Sequence, residues 1–320
     1  MNLDPSKRPP PAVVLLGAQR YGGTVVEEVR HLEVSGRIAL VTAGWQEREA
    51  EDQELRSHLE ADAVNLELHR RAEEVFAADP ELAAAHRTRQ QMLRHKQDFY
   101  RVRLEFALEA DHVIRQRTAP PEVLRQEEEA SLAAIRALDE YHLGQCDRVH
   151  AEFEAAMKPA NRPALARQRE EVAELIAGSS ALAIAGGHVA SLVNRLRMFG
   201  VASALDGQLV FAWSAGAMAL TERIVLFHDD PPQGPGASEI LDRGLGLVPS
   251  VVALPQPETR LRLEDPERVG VLASRFAPAA CLTLAAGAHV TFRDGRPERP
   301  SGVMRLDPEG TCEPLQEVPA

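Results

Sequence analysis

The amino-acid sequence predicts a three-layer α/β sandwich with a mostly parallel sheet, interrupted by a long all-α insertion. Three observations lead there. Short continuous apolar runs alternate with helical stretches at both ends of the chain, the pattern of a parallel sheet covered on both faces. Of the 21 glycines, a single one, Gly144, falls between Gln46 and Leu175, and that interval is rich in the helix formers Ala, Glu, Leu, Arg and Gln. The 320 residues also suffice for one large domain, or two modest ones, with a buried core.

Taken in order, Pro9, Pro10 and Pro11 make a frayed tail before a first strand at 12–16. A Gly-rich turn and a helix through His31 follow, then a second strand at 38–42. Helices are expected over 46–60, 81–117, 121–158 and 164–177. Their breaks fall at Asp79-Pro80, at Ala119-Pro120-Pro121 and from Pro159 to Pro163, because proline ends a helix. Val102, Phe106 and Val113 recur at helical spacing, as do Leu132, Ile135, Leu138, Cys146, Val149 and Phe153. Such stripes must be buried against the domain, each other or another subunit. Heptads are not sustained, so a packed hairpin or bundle is favoured over a long coiled coil. Strands return at 181–185, Leu209–Trp213, 224–227, 281–284 and 289–292, with helices at 189–199 and 265–276. The α/β domain therefore comprises 1–45 and 177–320, and the helical insertion 46–176.

Composition narrows the partners. Lys and Arg number 36 against 48 Asp and Glu, a net charge of −12. A surface that acidic repels phosphate backbones and anionic lipid, so neither nucleic acid nor membrane is expected as a partner. The apolar run near the N-terminus is too short for a signal segment or a spanning helix. Cys146, Cys281 and Cys312 are far apart and form no CxxC, which predicts a reduced, cytoplasmic chain without disulfides. No HExxH and no clustered Cys/His spacing occurs, so neither metal nor cofactor is expected. The turn Asp229-Asp230-Pro231-Pro232 reads as solvated rather than cation-binding. Gly17 to Thr24 lies near P-loop register, but Gly23 stands where the phosphate-gripping Lys is needed, which favours a plain strand-to-helix turn.

The sharpest chemical signal is Phe211-Ala212-Trp213-Ser214-Ala215-Gly216-Ala217-Met218. An apolar strand runs straight into Ser214, and small residues then open a helix, as in a nucleophile elbow that lifts a serine clear of the sheet. There the Ala215 N–H becomes available to an oxyanion. The other reading is a serine N-cap. A second signal is Ile184-Ala185-Gly186-Gly187-His188, a strand ending in paired glycines whose free N–H groups can stabilise a developing oxyanion, or a tight turn with no ligand.

These two segments, followed by Gly246-Leu247-Val248-Pro249, resemble the peptidase E and cyanophycinase-like serine peptidases. The resemblance covers roughly 176–295 and the first two strands, but not the insertion. It implies a class I glutamine amidotransferase-like sandwich and serine-type hydrolysis of a peptide or small amide substrate. Ser214 would be the nucleophile, Gly187 and Ala215 the oxyanion donors, and Asp229, or the adjacent Asp230, the orienting acid. The family histidine follows a proline shortly after Gly-Leu-Val-Pro; here the place is taken by Gln256, after Pro255, which cannot shuttle a proton. His228, beside Asp229, and His188, at the start of the next helix, are the candidate bases. Arg260 could meet a substrate carboxylate. The alternative is a non-catalytic binding or scaffold relative that uses the insertion as an interaction surface. A homodimer built partly through the insertion is expected.

Overall fold

The run Val13-Val14-Leu15-Leu16 has no polar side to turn outward, and all four residues are buried in strand β1 (Val13–Leu16). The computed structural model describes residues 12–19, 23–229 and 236–317. The three prolines of the tail, residues 20–22 of the Gly-rich turn and Asp230 lie outside the described residues. Alternate β1 side chains serve the two faces of the sheet. Val13 and Leu15 enter the larger core. Val14 and Leu16 meet Val25 and Val29 of α1 (Thr24–His31) and Leu55 and Leu59 of α2 (Gln53–Leu59).

β1 pairs in parallel with β5 (Leu209–Trp213), and the parallel run continues through β4 (Ala181–Ile184) and β2 (Ile38–Val41) to β3 (Ala63–Asn65). On its other side β1 is antiparallel to β9 (Ala280–Arg293), beyond which lie β10 (Arg296–Leu306) and β11 (Cys312–Pro314). β8 (Val251–Pro255) pairs in parallel with the first part of β9. The protein is thus an α/β fold with a mostly parallel central sheet and helices packed against it.

Several elements differ from the sequence expectation. The interval 46–176 is not wholly helical, because β3 adds a parallel strand beside β2. Three residues are too few to show a periodicity; Asn65 anchors the strand, its amide nitrogen donating to Thr42 Oγ1 at 2.8 Å and Asp52 Oδ2 at 2.9 Å. The strand expected at 224–227 is β6 (Arg223–Leu226), which pairs with β7 (Glu239–Arg243) in a separate two-stranded ribbon. The two strands expected at 281–284 and 289–292 are one strand, β9. β7, β8, β10 and β11 were not anticipated.

Between β3 and β4 the chain runs through α3 (Leu68–Ala78), α4 (Pro80–Arg115), α5 (Pro121–Met157) and α6 (Pro163–Ala177), each of the last three with proline in its first turn. Asp79 caps α4, accepting from the Leu82 N–H at 3.0 Å. α4 and α5 form a hairpin fastened to the body by a buried polar cluster. Tyr100 donates its hydroxyl to Asp139 at 2.7 Å, and Arg275 of α11 (Pro266–Phe276) reaches both carboxylate oxygens of Asp139, at 2.7 and 2.6 Å. The Ile240 N–H of β7 donates to Tyr100 Oη at 3.2 Å. Consequently α4 turns Gln97, Tyr100 and Leu104 inward. Its stripe of Val102, Phe106 and Val113 faces outward, with Phe106 71% exposed. The α5 stripe, through Ile135, Cys146 and Val149, is buried as expected.

Candidate functional site

β5 carries its apolar run to Trp213, and α9 (Ala215–Leu220) begins two residues later, so one residue must make the whole reversal. That residue is Ser214, at φ 52° and ψ −126°, a conformation that a side chain rarely tolerates. Its hydroxyl does not cap α9, which removes the N-cap reading. Small neighbours make the turn possible. A Cβ on Gly216 would come 2.4 Å from the Ile184 carbonyl oxygen, and one on Gly186 2.7 Å from Ser214 Cβ. Gly187, at φ +113°, packs against the backbone of Gly44 after β2, and the His188 N–H donates to the Gly44 carbonyl at 2.8 Å. The ends of β2, β4 and β5 therefore meet around Ser214, at the C-terminal edge of the parallel strands. As the first residue of α9, Ala215 has an N–H that no preceding helical carbonyl can accept.

Ser214 opens into a cavity of about 730 Å³. It is lined by Gly186, Gly187, Ser214 and Ala215, by Trp45 and Trp213, and by Gln256 and Arg260. Arg48, Glu51, Glu54 and His58, from α2 and the turn before it, also line it. Arg48 donates to Glu51 at 2.8 Å, and that hydrogen bond holds the Glu51 carboxyl below its usual range. The Arg260 guanidinium lies 6.0 Å from the Phe227 ring centroid and has no carboxylate partner among the described residues. Gln256, in the left-handed region at φ 56°, is part of the cavity lining.

The remaining expected residues do not converge on Ser214. Asp229 is buried and accepts from the Arg262 N–H at 2.8 Å and from Arg268 at 2.7 Å, and it lines a different cavity of about 390 Å³. Its carboxylate is held by these donors, and it is not among the residues that line the Ser214 cavity. The physical reason is the ribbon: β6 leaves the main sheet to pair with β7, and from its end only Leu226 reaches the Ser214 cavity. His228 is also absent from that cavity, and its Nδ1 is buried with no hydrogen-bond partner. His188 is exposed and caps α7 (Val189–Met198), its Nδ1 accepting from the Ser191 N–H at 3.2 Å.

Two functional features escaped sequence reasoning. His58 is the only histidine lining the Ser214 cavity among the described residues. Its signal was the spacing of Glu54 and His58, which places both on one face of the short helix α2. Gln46, at φ 57° and ψ −123°, repeats the backbone conformation of Ser214 after β2 and donates to Ser191 Oγ at 2.8 Å. Cysteine offers no rival nucleophile in the core, since burial pushes both the Cys146 and Cys281 thiols up to about 12. Among the described residues no three His, Cys, Asp or Glu side chains are grouped as metal ligands, and no helix is long and apolar enough to cross a membrane. The Gln19 side chain ties the turn after β1, its Nε2 donating to Gly17 O and Thr24 Oγ1, both at 2.8 Å.

No family profile and no curated protein matches the chain. Among solved structures, the chain is similar to a peptidase from an acI-B1 actinobacterium, at 12% identity and a TM-score of 0.46 over 94% of this chain and 92% of that one. It is also similar to a protein of Listeria monocytogenes EGD-e named for peptidase E, at 9% identity and a TM-score of 0.44 over 93% of this chain and 99% of that one.

Proposed function

We propose that this chain is a serine-type hydrolase of amide or peptide bonds, a cytoplasmic relative of the peptidase E and cyanophycinase-like enzymes on a class I glutamine amidotransferase-like sandwich. The observation that carries the reading is Ser214 itself, held at φ 52° over Gly186 with its hydroxyl at a cavity and no hydrogen-bond partner among the described residues. In the proposed reaction Ser214 Oγ attacks the substrate carbonyl. The N–H groups of Gly187 and Ala215 receive the oxyanion. The C–N bond breaks as the leaving amine takes the serine proton, and water then hydrolyses the ester. His58, which lines the same cavity, is the proton carrier in this scheme, in place of His228 or His188. Gln256 binds substrate or water, and the unpaired Arg260 meets a substrate carboxylate.

Labelling with a fluorophosphonate probe tests this. Label is expected on the wild type, absent in Ser214→Ala, weakened in His58→Ala and retained in His188→Ala. Label that survives Ser214→Ala would sink the assignment.

A second reading, of the hairpin as an interaction surface, is favoured by the outer face of α4. Met92, Phe99, Phe106 and Val113 repeat every seven residues there and are all exposed, as is Val102. We propose a second copy of this chain as the occupant. In a parallel two-fold pairing about that seam, the exposed Asp98 of one copy would face the exposed Arg103 of the other. This reading is compatible with hydrolysis, because the stripe lies on α4 and no α4 residue lines the Ser214 cavity.

A further inference from the structure

A separate cavity of about 340 Å³ lies where the helical insertion meets the α/β body. Phe76, Leu82, Phe153, Leu165 and Met198 give it apolar walls, and four arginines project into it: Arg89, Arg169, Arg197 and Arg243. In a chain with a net charge of −12, a gathering of guanidinium groups around one enclosed space calls for a reason.

Two of the four are accounted for by carboxylates. Arg243 pairs with Asp147 at 2.9 Å, and Arg197 with Asp242 at 2.7 Å. The other two are not. Arg169 donates to the Met198 carbonyl at 2.6 Å and has no ion-pair partner among the described residues. Arg89 sits over the Phe153 ring at 4.2 Å, and its Nε is buried with no hydrogen-bond partner at all. A guanidinium has five donors and is costly to desolvate unsatisfied. Burial pulls the Arg89 pKa down to about 10, still far above neutral pH, so the charge persists. The nearest uncommitted acid on the lining is Glu154, which attracts both Arg89 and Arg169 but bonds to neither. Of the two histidines on the lining, His86 is kept neutral by burial, and His150 lies 2.9 Å from the Asp242 carboxylate that also pairs with Arg197.

We propose that this cavity binds a small organic anion, an oxyanion carried on an apolar or aromatic body, with Arg89 and Arg169 gripping the oxyanion. A phosphate or carboxylate supplies acceptors for donors the fold leaves unused, and the ring or chain behind it replaces water against Phe76, Phe153 and Met198. The site is independent of Ser214, since no residue lines both cavities.

Isothermal titration of the full chain with phenyl phosphate and with benzoate tests this, with phenol as the uncharged control. Saturable binding of either anion, not matched by phenol, is expected, and which of the two binds more tightly tells phosphate from carboxylate. Arg89→Gln and Arg169→Gln should each weaken it by about tenfold or more. Glu154→Gln, at an exposed position, should tighten it severalfold by removing the competing acid, and this variant keeps the test valid should an arginine variant fail to fold. Ser214→Ala should leave it unchanged. Binding of neither anion overturns the proposal. So does phenol binding equal to phenyl phosphate, or affinity that is indifferent to Arg89, Arg169 and Glu154 together.

Discussion

Gly186 lies so close to Ser214 that a Cβ built on it would stand 2.7 Å from Ser214 Cβ and 3.4 Å from Ser214 Oγ. Neither partner can retreat: Ser214 is fixed between β5 and α9, and Gly186 between β4 and the backbone of Gly44. Gly186→Ala should therefore destabilise the chain by about 1–3 kcal/mol, the scale of overpacking. Gly144→Ala is the matched control. No atom lies within 4 Å of a Cβ there and the position is mid-helix in α5, so the change should stabilise by about 0.5–1 kcal/mol. Urea unfolding of the two variants should give opposite signs.

The backbone of Ser214 should store energy that function, not folding, requires. Glycine tolerates φ 52°, ψ −126° far better than serine does. Ser214→Gly is expected to raise stability by about 1 kcal/mol while abolishing probe labelling. A loss of stability in that variant would argue that Ser214 is held for packing.

Asp139 and Arg275 are each 2% exposed and bound to one another twice. Removing one member leaves the other charge buried alone, so Asp139→Asn or Arg275→Met should cost about 3–5 kcal/mol in urea unfolding. Tyr100→Phe, which removes one hydroxyl from the same cluster, should cost about 1–2 kcal/mol. Proteolysis in the variants should begin in the α4–α5 hairpin, because this cluster ties it to α11 and β7.

His86 makes stability depend on pH. Burial lowers its pKa to about 4, and Nε2 lies 2.9 Å from Asn194 Oδ1, so the folded chain holds a neutral, donating ring. The unfolded chain takes up that proton near pH 6.5, above the folded value. The contribution is therefore complete above pH 6.5 and is lost as pH falls toward 4, by about 2–3 kcal/mol. Unfolding free energies measured from pH 7.5 to 4.5 should fall less steeply in His86→Asn than in the wild type.

The α4 stripe predicts self-association. Light scattering over a dilution series should give a dimer near 70 kDa, twice the 35.0 kDa chain (2 × 35.0). Phe99→Asp with Phe106→Asp should return it to a monomer without changing its thermal stability at low concentration, since neither ring contributes to the core. A wild type that stays at 35.0 kDa at tens of micromolar removes the dimer.

Local chemistry was legible without coordinates. Strand β1, the elbow at Ser214, the paired glycines and the proline-bounded helices all follow from residues adjacent in the chain, where φ/ψ limits and side-chain size act over a few positions. What tertiary structure decided are relations between distant residues. Periodicity shows that Val102, Phe106 and Val113 share a face of α4, but not which way the face points; the hydrogen bonds of Tyr100 to Asp139 and Ile240 turn it outward. His228 and Asp229 stand two and three residues past the end of β6, as active-site residues often do, yet that strand pairs with β7 and Asp229 is engaged by Arg268. His58 joins the Ser214 cavity only because β3 draws α2 against the sheet. Arg89 and Arg169 line one cavity only when α4, α6 and α7 come together around them, since charge and burial belong to the assembled surroundings of a residue and not to its neighbours in sequence.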